Sequence, residues 1–252
     1  MSENKIEYLR PASLEEVWEI RDQYPGQIKY LAGGNFKPTL GDGKKIIVDL
    51  QEAGLDGVEV NEDGFIIGGL ATLQDVESIF GSSGFYQALS TEFGVNVRNT
   101  LSLSNFLAQA NGRSPVLVCL LALEAVVYSF SFPQGLGIND YLASAIGEDV
   151  VTKLVIPDFK KLSYEGVGRS PKDVPIVSIA AVKRKDASIH VTCGGTIEIW
   201  KGFELSELDD DGLEQVTALY KDAVDGWASA AYRQDVGKIL LARVLQKLER
   251  IA

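Results

Sequence analysis

The chain of 252 residues has a formal net charge of −11, and 46% of its residues are hydrophobic. Its length suffices for one large domain or two smaller ones, while its acidity argues against nucleic acid and anionic membranes as partners. No apolar run reaches the roughly 20 residues of a membrane-spanning helix, and the N-terminus lacks a secretory signal. We therefore expect a cytoplasmic protein without membrane insertion.

The predicted elements of the first half alternate between strands and helices. Ser13 and Glu16 have the spacing of a capping box at a helix start, and Thr72 is a candidate cap for another helix. Gly64 ends a four-residue turn between two short strands, which predicts a hairpin. The sequence predicts strands at 6–9, 28–31, 45–50, 58–60 and 65–67, helices at 14–20, 72–79 and 86–93, and an irregular polar stretch at 96–111.

The second half contains the two clearest helix patterns. Ser114 followed by Pro115 is a strong helix start, and the next residues are apolar on every side, which predicts a buried helix. Near the C-terminus, apolar residues recur with a 3.6-residue period. The sequence predicts helices at 116–123, 212–223 and 230–251, strands at 126–130, 151–157, 162–167, 176–184 and 188–193, and a break rich in turns at 133–137.

Cysteine and histidine are scarce, since Cys119, Cys193 and His190 are the only residues of these two types. Two isolated cysteines and one histidine cannot assemble a zinc site or hold an iron–sulfur cluster. We therefore expect no metal site in this chain and any metal chemistry in another polypeptide. His190 has no acidic motif beside it, so no catalytic residue is assigned.

Two consecutive glycines, Gly33 and Gly34, follow the short predicted strand at 28–31. Such a pair allows positive φ and presents successive N–H groups, which can cradle an anion such as pyrophosphate. A Gly-Gly pair on its own is more often a simple turn.

The order of short motifs along the chain resembles the FAD-binding medium subunits of molybdenum hydroxylases, such as carbon monoxide dehydrogenase and xanthine dehydrogenase. The motif Leu31-Ala32-Gly33-Gly34 is similar to the first FAD loop of that family. Further matching segments follow in the family's order at 47–50, 67–73, 97–99, 120–125, 164–169, 177–181 and 228–233. The resemblance therefore covers nearly the whole chain.

This resemblance implies an α+β chain with a PCMH-type FAD-binding fold. Two FAD-binding α/β subdomains at 1–55 and 56–155 are expected, followed by a C-terminal flavoprotein domain at 156–252 with an antiparallel sheet and helices. The implied function is that of an oxidoreductase subunit that binds FAD and passes electrons from iron–sulfur clusters to an acceptor. The implied partners are a large subunit with a molybdenum cofactor and a small iron–sulfur subunit.

The resemblance also implies which residues contact FAD. They lie in the first loop and in a second loop, and are Ala32, Gly33, Gly34, Asn35, Phe36, Ser102, Ser104, Asn105 and Gln109. The second loop departs from the family pattern, because Ser104 and Asn105 stand where two glycines are usual and Phe106 replaces an asparagine. Pro115 stands where a ligand-binding aspartate is expected.

Each lost polar contact costs about 1 kcal/mol, so several such losses weaken binding on the order of a hundredfold. Two interpretations are open at this point. The chain is either a divergent flavoprotein subunit that holds FAD mainly through backbone atoms of its loops, or a scaffold or assembly subunit in which FAD is weakly held or absent.

Overall fold

The computed structural model describes residues 6–32, 46–80, 84–144, 149–170, 173–198, 202–205 and 210–249. The described strands are β1 (Glu7–Leu9), β2 (Ile28–Leu31), β3 (Ile46–Asp49), β4 (Val58–Asn61), β5 (Gly64–Gly68), β6 (Val126–Ser129), β7 (Leu136–Gly137), β8 (Val151–Pro157), β9 (Phe159–Val167), β10 (Val177–Arg184), β11 (Ile189–Gly194) and β12 (Phe203–Leu205). The described helices are α1 (Leu14–Gln23), α2 (Leu73–Phe80), α3 (Gly84–Glu92), α4 (Val95–Arg98), α5 (Leu103–Leu107), α6 (Pro115–Ala122), α7 (Ile138–Ala143), α8 (Asp210–Leu219) and α9 (Ala230–Glu249).

The N-terminal unit is a three-stranded sheet of order β1-β3-β2, in which both pairings are parallel. The helix α1 begins where the sequence predicts it, because the Ser13 hydroxyl accepts a hydrogen bond from the Glu16 N–H at 3.2 Å. The Glu16 carboxylate accepts in return from the Ala12 N–H at 2.7 Å, one residue earlier than in a standard capping box. Val17 of α1 and Val48 of β3 are fully buried in the core of this unit.

The second unit contains a five-stranded antiparallel sheet of order β4-β5-β8-β6-β7. The helix α6 lies at the centre of its core, and all eight of its residues are buried as the sequence predicts. The Ser114 hydroxyl accepts from the Leu117 N–H at 3.0 Å, and Pro115 occupies the first turn. This local chemistry sets the start of α6 independently of its burial.

The C-terminal unit is a four-stranded antiparallel sheet of order β12-β11-β10-β9. One face of β10 packs into the core around α6 through Ala180 and Val182, and the other packs against α9 through Ile179 and Ala181. Because both faces are covered, the strand has an almost continuous apolar sequence instead of an alternating one. The observed helices and antiparallel sheets confirm the predicted α+β class.

Several short elements differ from the sequence prediction. The stretch 96–111, predicted to be irregular, contains most of α4 and all of α5, and the predicted break at 133–137 runs through β7 directly into α7. The strand β12 was not predicted either. These segments are too short for a periodic pattern to be recognised, and tertiary contacts determine them. Within the described parts of the chain, no helix has both the length and the apolar character required to cross a membrane.

Candidate functional site

A hydrogen bond joins the two segments that the sequence analysis assigned to cofactor binding. The hydroxyl of Ser102, which caps α5, donates to the carbonyl oxygen of Ala32 at 2.6 Å across 70 positions of sequence. Thr72 and Ser102 also form an isolated antiparallel bridge, which fixes the start of α5 against the start of α2. The start of the second loop is thereby held next to Ala32, the residue at which the first loop begins.

The remaining first-loop residues assigned to the cofactor lie outside the described residues. These are Gly33, Gly34, Asn35 and Phe36. The structure therefore fixes where the loop begins, at Ala32, and where the chain continues, at Ile46.

A cavity of about 670 Å³ opens beside Ser102. Its volume lies within the range of roughly 300–1,000 Å³ that is usual for small-molecule and cofactor sites. Its wall is formed by Gln51, Asp56, Val58, Leu70, Thr72, Asp75, Ser78, Ile79, Thr100 and Ser102. The described residues of the wall offer hydroxyl, amide and carboxylate groups and no basic side chain, so this part of the wall suits the hydroxyl groups of a ligand better than its phosphates.

The backbone N–H groups in the first turn of α5 are all engaged within the protein. Their bonds run from Leu103 N to Ala71 O (2.9 Å), Ser104 N to Gly69 O (2.8 Å), Asn105 N to Ser102 Oγ (3.3 Å) and Phe106 N to Ser102 O (2.9 Å). Helix N-termini bind anions through free N–H groups. In this conformation the second loop has no free backbone donor between 103 and 106, so the hydrogen-bond donors for a phosphate have to come from another segment of the chain.

One other predicted site residue belongs to a second cavity, of about 370 Å³. Gln109 lies in its wall and donates from Nε2 to the Asn105 carbonyl oxygen at 3.1 Å. Phe106 contributes to the same wall, although it is only 1% exposed and meets Phe93 edge-to-face with ring centroids 6.0 Å apart. The residue that replaces the family's asparagine has thus become part of the hydrophobic core, and Ser104, two residues earlier, is buried as well.

Glu92 is a residue of the second cavity that the sequence analysis missed. Its carboxylate oxygen Oε2 accepts hydrogen bonds from the Ser114 hydroxyl at 2.7 Å and from the Val116 N–H at 3.0 Å, and so caps α6. Burial raises the pKa of this carboxyl to about 7, although the two hydrogen bonds act in the opposite direction. More than 20 residues separate Glu92 from its partners, so no local motif pointed to it.

Glu92 is expected to make the stability of the protein depend on pH. Because its folded pKa is about 7 and the ordinary value is 4.5, the unfolded chain releases this proton first and the folded state loses stability as pH rises between these values. The loss amounts to at most about 3 kcal/mol. Glu92→Gln keeps an oxygen acceptor and removes the titration. The measurement is urea denaturation at about pH 5, 6, 7 and 8, a series that brackets the titration of Glu92.

In this experiment the wild type should become less stable relative to Glu92→Gln as the pH increases. The control is Glu59→Gln, which removes an exposed carboxylate from β4. A constant difference between the wild type and Glu92→Gln across the series would show that Glu92 titrates normally.

The outer wall of the second cavity comes from the C-terminal part of the chain. Trp227 lies there, with the guanidinium carbon of Arg113 3.9 Å and that of Arg169 4.6 Å from its ring centroid. Arg113 also forms an ion pair with Asp225 at 2.6 Å. The cavity therefore combines aromatic surface, amide groups and one protonatable carboxyl, a lining that suits a planar heteroaromatic ring.

Comparison with known proteins gives a consistent result. Residues 4–158 match the model of a family described as the FAD binding domain in molybdopterin dehydrogenase. The protein YgfM of Escherichia coli (strain K12), described as uncharacterised, is 27% identical over 250 residues, covering 94% of this chain and 93% of that protein. Two solved structures are similar over 96% of both chains at 17% identity: a reconstituted CO dehydrogenase from Oligotropha carboxidovorans (TM-score 0.70) and quinoline 2-oxidoreductase from Pseudomonas putida 86 (TM-score 0.69). At this identity the solved structures show a shared fold.

Proposed function

This chain belongs to the family of FAD-binding domains of molybdopterin dehydrogenases, and from that membership we propose that it is the FAD-binding subunit of a molybdenum hydroxylase-like oxidoreductase. In this role it passes electrons from iron–sulfur clusters of a small subunit to an acceptor, within a complex whose large subunit carries the molybdenum cofactor. Bound FAD supplies the redox chemistry, because it exchanges electrons singly or in pairs. The chain itself binds and orients the cofactor.

The observation that carries this proposal is the hydrogen bond between Ser102 and Ala32 beside the larger cavity. It holds the start of the glycine loop against a cavity of cofactor size, whose hydroxyl and carboxylate groups suit the sugar hydroxyls of a dinucleotide. Since the N–H groups at 103–106 are engaged, we assign binding of the diphosphate to the backbone N–H groups of Gly33 and Gly34.

The smaller cavity is the proposed place for the flavin ring. The resemblance implies that the C-terminal domain covers this end of the cofactor, and Val174, Ile197 and Trp227 form that part of the cavity wall. Within the proposal, Ser102, Ser104, Asn105 and Gln109 contact FAD from the second loop, while Ala32, Gly33, Gly34, Asn35 and Phe36 contact it from the first. The limits 1–55, 56–155 and 156–252 are the proposed domains.

A specific observation favours a second candidate function, a scaffold or assembly subunit that holds FAD weakly or not at all. The first turn of α5 offers no free N–H group, and Phe106 is buried where the family has a polar contact. At the position of the family's aspartate, Pro115 has neither a side-chain acceptor nor an N–H. These features reduce the affinity for FAD without disturbing the fold.

The visible spectrum of the purified chain and a titration with FAD distinguish the two candidates. We expect a yellow protein, or a colourless one that binds added FAD with quenching of flavin fluorescence, and saturation at one FAD per chain. A colourless chain that binds no FAD at concentrations well above those in a cell would refute the flavoprotein function and support the scaffold. Co-purification from the cytoplasm with molybdenum and iron–sulfur subunits tests the proposed partnership, and a chain that remains solitary contradicts it.

A further inference from the structure

A second cluster of ionisable side chains lies where the end of α6 meets the C-terminal sheet. A ring nitrogen of His190 and one carboxylate oxygen each of Glu124 and Glu204 lie within 4.8 Å of one another. The three residues come from the turn after α6, from β11 and from β12. His190 and Glu204 are direct partners across the two strands, so their side chains share one face of the sheet. Folding thus assembles one imidazole and two carboxylates from distant parts of the sequence.

The ring of His190 is held in one orientation. The side chain is 8% exposed, and its Nδ1 lies 3.0 Å from the carbonyl oxygen of Ala122. A carbonyl oxygen can only accept, so Nδ1 carries the hydrogen and Nε2 of the neutral ring keeps a free lone pair. No hydrogen bond to Nε2 is formed among the described residues, and glycine at position 202 leaves this nitrogen uncovered, since a Cβ there would collide with it. A histidine fixed through one nitrogen by a carbonyl, with the other nitrogen available, has the arrangement found in metal-binding histidines.

The backbone of Glu124 is strained. Its φ is +52°, and Ala187 is the other described non-glycine residue with positive φ. Glu124 follows the last turn of α6, a place where glycine usually adopts this conformation. The left-handed conformation costs a non-glycine residue about 1 kcal/mol or more. Strain at an ionisable residue that joins a cluster is a reason to look for a function there.

Arg184 is the present counter-ion of both carboxylates. Its guanidinium lies 2.5 Å from a Glu124 oxygen and donates two hydrogen bonds to Glu204, at 2.6 and 2.7 Å. The carboxylate side chains are 46% and 56% exposed. Because both carboxylates are open to solvent, another cation can reach them and compete with the guanidinium.

We propose that Glu124, His190 and Glu204 bind a divalent cation of the zinc class, which displaces the guanidinium of Arg184. Zinc accepts imidazole nitrogen and carboxylate oxygen at about 2.0–2.2 Å, which puts ligand atoms about 3.4 Å apart in a tetrahedral site. The present spacing of up to 4.8 Å closes to that value through rotation of the two exposed glutamates. Water completes the coordination.

Such a site clamps the end of α6, in the second unit, to β11 and β12 of the C-terminal sheet. Counting cysteines and histidines in the sequence led to the expectation of no metal site. That count left out carboxylates, which also ligate zinc when the fold brings them to a histidine.

Calorimetric titration of the tag-free, chelator-treated full chain with zinc chloride at pH 7.5, roughly a unit above the ordinary histidine pKa, tests this inference. We expect one site with micromolar affinity and a rise in melting temperature on addition of zinc. Glu204→Gln alters an exposed side chain and should weaken binding about tenfold or more. Arg184→Met removes the competing cation and should strengthen binding about two- to fivefold.

Glu59→Gln, at an exposed site on β4, is the matched control and should bind zinc as the wild type does. His190→Gln should lose binding, and its melting temperature in the presence of chelator shows whether it is folded. Absence of binding to the wild type at millimolar zinc overturns the proposal, as does undiminished affinity in Glu204→Gln. Weaker binding in Arg184→Met overturns the exchange of arginine for metal. None of these outcomes depends on FAD.

Discussion

Replacement of Arg233 by methionine is expected to lower the free energy of unfolding by about 3 kcal/mol or more. Arg233 is fully buried at the start of α9. Its guanidinium donates to the carbonyl oxygens of Ile176 and Gly195, at 2.8 and 2.7 Å, and to the carboxylate of Asp225 at 2.7 Å. Methionine fills the volume but removes the donor of both carbonyl oxygens and the buried counter-ion of Asp225, whose carboxylate keeps only its other hydrogen bonds.

Urea denaturation followed by circular dichroism measures this effect. The matched control is Arg243→Met on the exposed side of the same helix, which should change stability by less than about 0.5 kcal/mol. If Arg233→Met does not fold, Arg233→Lys keeps the charge and should still be destabilised, because an ammonium group cannot reproduce the planar set of donors. Equal stabilities for Arg233→Met and Arg243→Met would contradict this role of Arg233.

Sequence alone predicted the elements whose signals are local. The helix α6 was found because Ser114 and Pro115 mark its start and its residues are apolar all round, and α1 was found through Ser13. The ends of β8 were predicted to the residue, and Pro157 closes the apolar run at 154–156. In each case a capping side chain or a breaker residue acts within four positions of the element it limits.

Elements defined by distant contacts were missed. The helix α5 has five residues, and its first N–H groups bond to carbonyls of Gly69 and Ala71, some 30 positions earlier. Residue 69 itself must be glycine because a Cβ there would collide with the carbonyl oxygen of Val151 in β8. The sequence contains the cap Ser102, but only the fold shows what it caps.

The residues of the candidate site also differ in whether a local sequence signal or only distant contacts identify them. The family resemblance pointed to Ser102 and Gln109, and the structure places them in two different cavities, Ser102 at the start of α5 and Gln109 just beyond its end. Glu92 and Trp227 escaped detection because their partners, Ser114 and Arg113, are 22 residues away or more. A carboxyl with a pKa near 7 arises from burial, which no local pattern encodes.

Replacement of Gly33 by valine is expected to weaken FAD binding by on the order of a hundredfold or more if the chain is a flavoprotein. Gly33 lies outside the described residues, so the expectation rests on its surroundings. The preceding residue, Ala32, is fixed by Ser102, and the N–H groups at 103–106 are already engaged. The backbone of Gly33 and Gly34 must therefore supply the donors for the diphosphate, and a β-branched side chain opposes the positive φ that such a nest requires.

FAD titration monitored by flavin fluorescence gives the affinity, and circular dichroism confirms that the variant is folded. The control is Gly137→Val, because a Cβ at Gly137 meets no atom within 4 Å and Gly137 lines neither of the two cavities. Normal FAD affinity in Gly33→Val would show that the Gly-Gly pair is only a turn and that the cofactor is held elsewhere. Loss of binding in Gly33→Val alone, with Gly137→Val unaffected, assigns the diphosphate to the first loop. The divergence of the second loop is then tolerated because backbone donors of the first loop carry the charge of the cofactor.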